Sequence, residues 1–192
     1  PKLSEFAVPP METRENAVCY VGGITRVRGI VEMVRALEYM DVKLKLAGTF
    51  DSPALEREIK AMPGWAKVEY AGQVDRADAA AIMSSSKAGL VTLHPIVNYL
   101  DALPIKMFEY MAARIPVIAS DFSLWRGILE EGRCGVTVDP LDPKSIAGAI
   151  KRLLSDPAAE EMGENGRRLV LEKYNWAQEE QVLLAVYEEL AV

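Results

Sequence analysis

Short continuous apolar runs alternate along the chain with segments whose apolar residues recur every three or four positions. The run AVCYVGG at 17–23 closes on two glycines, and Ile30, Val31, Val34 and Leu37 follow at helical spacing. That pattern predicts a strand, a glycine turn and a helix. The alternation repeats as a strand at 42–48, a helix with Leu55, Ile59 and Met62 on one face, a strand at 67–72, and a helix opened by Asp75. AGLVTL at 88–93 and IPVIAS at 115–120 are apolar almost throughout, as in strands covered on both faces, and a short strand at 134–138 ends the series.

Beyond 138 the pattern predicts only helices, at 143–154, 157–173 and 176–190, with Pro143 and Pro157 suited to first turns. Residues 1–15 hold three prolines and no amphipathic period, so they read as a connector preceding one folded domain over 16–192. The expected fold is α/β: a Rossmann-like, doubly wound parallel sheet of about six strands with closing C-terminal helices. Such sheets bind ligands at the carboxyl ends of their strands. Attention therefore falls on the loops Gly22–Gly29, Gly48–Ser52, Gly72–Val74 and His94–Pro104.

Composition narrows the chemistry. The chain has 192 residues, half of them apolar, enough for one well-buried core. With 22 basic against 28 acidic residues and a net charge of -6, it lacks the general positive field that nucleic-acid binding uses, so any anion must be held locally. Cys19 and Cys134 are far apart in apolar segments, predicting buried thiols rather than a disulfide or zinc site. His94 is the only histidine, which excludes a multi-histidine metal site; a strand-capping role is expected of it. There is no G-x-x-x-x-G-K-[ST] or G-x-G-x-x-G motif. No apolar run approaches the roughly 18 residues that span a bilayer and no cleavable signal is visible, so a cytoplasmic protein is expected. Trp65, Trp125 and Trp176 are expected to pack rather than stack on bases.

Two clusters carry candidate chemistry. In DALPIKMFEYMAARIPVIAS (101–120), a helix is expected from about Leu103 to Ala113, with Pro104 in its first turn and Asp101 near its start as an N-cap and dipole partner. Lys106 and Glu109 lie three residues apart on one face, as either a solvated ion pair worth about 0.3–0.5 kcal/mol or a phosphate contact and a diol acceptor. In GGITRVRG (22–29), Gly22 and Gly23 permit close backbone approach, while Arg26 and Arg28 are either surface cations or phosphate ligands. Both clusters belong to one edge of the sheet.

With these residues placed, the chain resembles the C-terminal, nucleotide-sugar-binding domain of retaining, group 1 (family 4) glycosyltransferases of the GT-B architecture. The resemblance covers almost all of 17–190, and its most specific part is P-x-K-x-x-E-Y-M-A followed by P-V-I-A-S. It implies that Glu109 holds the ribose hydroxyls, that Asp101 takes the first acidic position near the donor sugar, and that Arg28 and Lys106 contact the diphosphate. Backbone groups near Leu103 and Ile105 would complete the anion site, and Gly48 and the segment Gly72 to Val74 would border the nucleotide. Four positions depart from the family pattern. Gly23 replaces an arginine for which Arg26 is the expected substitute, Asp101 replaces a glutamate, and Pro104 replaces a glycine whose N–H faces phosphate. Arg114 replaces a helix-ending glycine where positive φ is costly for a side chain.

The expectation is thus the donor-binding half of a metal-independent enzyme that takes a nucleoside diphosphate sugar and retains configuration, without other cofactor. Polysaccharide, lipopolysaccharide or glycolipid synthesis is the implied setting. Its partner would be a preceding acceptor-binding domain absent from this chain, through which peripheral membrane association stays open. A non-catalytic nucleotide-sugar sensor and a sugar-nucleotide epimerase remain as alternatives.

Overall fold

The computed structural model describes residues 1, 5, 6 and 9–190. Its elements run β1 (Ala17–Val21), α1 (Ile30–Ala36), β2 (Lys43–Ala47), α2 (Pro53–Lys60), β3 (Val68–Gly72), α3 (Arg76–Ser84) and β4 (Ala88–Val91). They continue as α4 (Val97–Leu100), α5 (Ile105–Ala112), β5 (Val117–Ser120), α6 (Ser123–Gly132), β6 (Gly135–Val138), α7 (Pro143–Ser155), α8 (Ala159–Glu172) and α9 (Trp176–Leu190). All paired strands are parallel, in the order β3-β2-β1-β4-β5-β6. The order reverses between β1 and β4, which puts the topological switch point at their carboxyl ends.

Strand side chains alternate between two buried layers. Val18 and Tyr20 of β1 join Leu44, Leu46, Leu90 and Ile118 under α1, α2 and α7. Cys19 joins Val91, Val117 and Ala119 under α3, α5, α6 and α8. Burial on both faces removes the need for polar alternation, which is why these strands read as apolar runs. Helix starts follow local chemistry: the side chains of Ser52, Asp75 and Asp142 accept from the backbone N–H of Leu55, Asp78 and Lys144.

Several expectations change. The sequence pattern does not announce α6: Trp125, Ile128 and Leu129 are buried at helical spacing, but the helix has no side-chain cap and carries Gly127 inside it. Pro157 precedes α8 by two residues instead of opening it. Trp125 is fully buried and Trp65 packs with Phe50 and Tyr70, whereas Trp176 is 61% exposed at the start of α9. Residues 2–4, 7 and 8 of the expected connector lie outside the described residues, but its remainder packs on the domain. Phe6 is buried, and Arg14 donates to the carbonyls of Pro9, Ser86 and Ala113. Both cysteines are buried and unpaired, and burial pushes both thiols up to about 12.

Candidate functional site

The turn after β1 is shaped by its neighbours on α5. Gly22 adopts φ 139°, and a Cβ there would stand 3.0 Å from Nζ of Lys106. At Gly23 a Cβ would stand 2.5 Å from Nη1 of Arg28, so the guanidinium occupies the space that a side chain at 23 would need. Arg28 instead donates from Nη1 to the Gly23 carbonyl at 3.2 Å, and the Tyr20 hydroxyl donates to the same oxygen at 2.8 Å. The two predicted cations therefore converge on one turn at the switch point.

Lys106 is not half of a solvated ion pair. Its Nζ is buried without a hydrogen-bond partner among the described residues and lies 3.6 Å from the centroid of the Tyr20 ring. Burial, followed by the Arg28 charge, lowers its pKa to about 7, with Glu109 and Cys19 pulling the other way. Arg28 is held above the ordinary arginine value, first by hydrogen bonding to Tyr99. Glu109 turns to another helix: its Oε1 is 3.5 Å from Nη1 of Arg76 on α3, and Arg76 also donates to Glu5 at 2.5 and 3.0 Å.

These groups share a cavity of about 430 Å³ lined by Gly22, Arg28, Asn98, Tyr99, Lys106 and Glu109, with Leu103, Pro104 and Ile105 at its helix-side wall. A second hollow of about 330 Å³, lined by Gly48, Gln73, Val74 and Arg76, adjoins it through Val21 and Gly22. Gly72 does not line it but accepts from the Gly48 N–H at 2.7 Å behind it. A concave apolar wall with a few converging charged groups is the usual form of a small-ligand site.

Two predicted residues leave the cluster. Arg26 pairs with Glu58 of α2 at 2.5 Å and is half exposed, so it does not substitute for an arginine at 23. Asp101 is exposed, closes α4 and lines neither hollow. It does not cap α5 either: Pro104 is the N-cap, one residue outside the helix, and no side chain caps it. The intervening loop is pinned by the Trp125 indole N–H, which donates to the Ala102 carbonyl at 2.7 Å, and α5 starts at Ile105 rather than at Leu103. His94 receives a partner rather than a cap, its Nε2 lying 2.9 Å from Glu32.

Arg114 does adopt φ 60°, the strained conformation expected of that position. Ion pairs to Glu160 and Glu164 of α8 hold its guanidinium. Arg76, Tyr20, Asn98 and Tyr99 were not singled out from sequence. Tyr20 looks like any strand residue, and Arg76 meets Glu109 only through tertiary contact. Among the described residues no group of three or more His, Cys, Asp or Glu is arranged to hold a metal ion, and no helix is long and apolar enough to cross a membrane.

Comparison with known proteins identifies the family. Residues 2–169 match the family model "Glycosyl transferases group 1". The chain is 29% identical over 188 residues to the alpha-D-kanosaminyltransferase of Streptomyces kanamyceticus, covering 91% of this chain and 46% of that protein. It is 30% identical over 201 residues to the alpha-maltose-1-phosphate synthase of Mycobacterium tuberculosis H37Rv, covering 98% and 51%. It thus spans about half the length of the curated relatives it matches. Sucrose-phosphate synthase of Thermosynechococcus elongatus superposes with TM-score 0.80 at 25% identity, over 99% of this chain and 51% of that one. Anabaena HepE in complex with UDP-glucose superposes with TM-score 0.79 at 15% identity, over 97% and 55%. The six-stranded parallel sheet is that of GT-B glycosyltransferases, and the chain belongs to the group 1 glycosyl transferase family.

Proposed function

We propose that this chain is the donor-binding half of a glycosyltransferase whose complete form transfers a hexosyl group from a nucleoside diphosphate sugar to an acceptor, with retention of configuration. The carrying observation is the convergence on one turn of Lys106, at Gly22 and without a hydrogen-bond partner among the described residues, and Arg28, at Gly23, with Glu109 in the same cavity. A diphosphate between the two cations would relieve their mutual repulsion and form charge-assisted hydrogen bonds. The N–H groups opening α5 at Ile105 and Lys106 have no intrahelical acceptors and point to the same end; Pro104, as N-cap, offers none. Glu109 would accept from the ribose hydroxyls, and the hollow beside Gly48 and Val74 would take the base.

As the bond to the sugar breaks, negative charge grows on the diphosphate, and fixed cations in a dry site stabilise it without reorganisation. These cations and amides meet that charge without a metal ion. A preceding domain would supply the acceptor site and exclude water. The exposed Trp176, Leu183, Leu184 and Tyr187 of α9 offer an apolar surface for such a neighbour. The relatives named for kanosaminyl transfer and for synthesis of a maltosyl phosphate, and the neighbour holding UDP-glucose, support this class of donor.

Calorimetric titration of UDP and GDP into the 192-residue chain tests the proposal. One of them binds at roughly 0.1–1 mM, as half of a two-domain cleft leaves the ligand exposed, with and without EDTA. Equal affinity in wild type and in Arg28→Gln, or binding abolished by EDTA, would overturn the diphosphate assignment.

A further inference from the structure

We propose that Asn98, and not Asp101, is the side chain of this domain that reads the hydroxyl groups of the donor sugar. This rests on the donor site proposed above. With the base beside β2 and β3 and the diphosphate at the turn after β1, the sugar extends toward the segment following β4, which contains both residues.

The cavity there, at about 430 Å³, lies within the roughly 300–1,000 Å³ of small-ligand sites and has room beyond a diphosphate. Past the cations its wall is largely apolar, with Leu93, Ala102, Leu103 and Trp125. Asn98 and Tyr99 are the polar side chains of α4 on that wall. Tyr99 is engaged with Arg28. The Asn98 amide is exposed and makes no side-chain hydrogen bond among the described residues.

A sugar hydroxyl both donates and accepts, and an amide offers both complements on one planar group. Being uncharged, it discriminates hydroxyl geometry without repelling the adjacent diphosphate, which a carboxylate would do. Position is secured locally: the Tyr99 N–H donates to the Ile96 carbonyl at 2.9 Å, and Trp125 holds the Ala102 carbonyl. The same clamp carries Asp101 outside the cavity lining.

The test uses the 192-residue chain with UDP, GDP, UDP-glucose, UDP-galactose, UDP-N-acetylglucosamine and GDP-mannose. The nucleotide sugar bound tightest by wild type is compared with its parent diphosphate in each variant. Asn98→Ala weakens the sugar ester about three- to tenfold and leaves the parent diphosphate within twofold, while Asp101→Ala changes neither. Asn98 is exposed, so its replacement leaves the fold intact, which circular dichroism checks. An unchanged ratio in Asn98→Ala, or a sugar-specific loss in Asp101→Ala, overturns the inference while the donor site stands. Failure of every nucleotide to bind wild type removes the donor site and this inference together.

Discussion

The ammonium of Lys106 lies 3.6 Å from the centre of the Tyr20 ring, with no hydrogen-bond acceptor for its protons among the described residues. The ring face attracts a cation, yet burial and the Arg28 charge prevail and bring the pKa to about 7. A lysine depressed in the folded state carries fewer protons than the unfolded chain between about pH 7 and its unfolded value near 10.4. Its contribution therefore makes stability rise with pH across that window, at up to about 1.4 kcal/mol per unit. Urea unfolding at intervals from pH 6 to 10 reads this slope, and Lys106→Met removes it.

Ligand binding carries the opposite sign. An anion beside Lys106 favours its charged form, so binding takes up a proton above pH 7 and affinity falls as pH rises, by up to tenfold per unit. UDP-glucose or GDP-mannose is the suitable probe, because neither diphosphate ester titrates there. Calorimetry in two buffers of different ionisation enthalpy at pH 8 measures the uptake, expected to vanish at pH 6.

Glu109→Gln weakens a nucleoside diphosphate by roughly 1.5–3 kcal/mol, the range for hydrogen bonds to a charged group. It leaves inorganic pyrophosphate, which has no ribose, unaffected. Stability changes by a few tenths of a kcal/mol, since the carboxylate's partner Arg76 is 64% exposed. Equal loss for both ligands would place the effect of Glu109 on the charge of Lys106 instead of on the ribose.

Gly22→Ala destabilises the fold by roughly 1 kcal/mol or more, because a side chain at φ 139° is strained and its Cβ meets Lys106 Nζ at 3.0 Å. Diphosphate affinity falls with it, as Lys106 must move. Thermal melting and titration of the same variant check both.

Arg114→Gly relieves a left-handed residue, a gain of about 1 kcal/mol, but removes the pairs to Glu160 and Glu164. Partly exposed pairs of this kind contribute about 0.2–1 kcal/mol each, so the net shift lies between about 0.6 kcal/mol stabilising and about 1 kcal/mol destabilising. Glu164→Gln, which breaks a pair without relieving strain, is destabilising by comparison in the same melt.

Sequence alone determined the six parallel strands, most of the helices and the edge that carries the candidate site, because strand burial, helical period and Ser52-, Asp75- and Asp142-type caps are written within a few residues of where they act. It likewise located Arg28, Lys106 and Glu109 as candidates, through residue type and spacing. Tertiary structure alone decided what those residues face. Lys106 meets Tyr20, which stands 86 positions earlier in the numbering and belongs to a strand, while Glu109 meets Arg76 of α3. Asp101 and Asn98 differ by only three positions, yet Asn98 lies within α4 on the cavity wall while Asp101, the non-helical residue that closes α4, stays outside it. Local pattern sets which groups a segment carries. Their exposure, pKa and partners depend on what packs over them, and those contacts come from chain segments that no local period records.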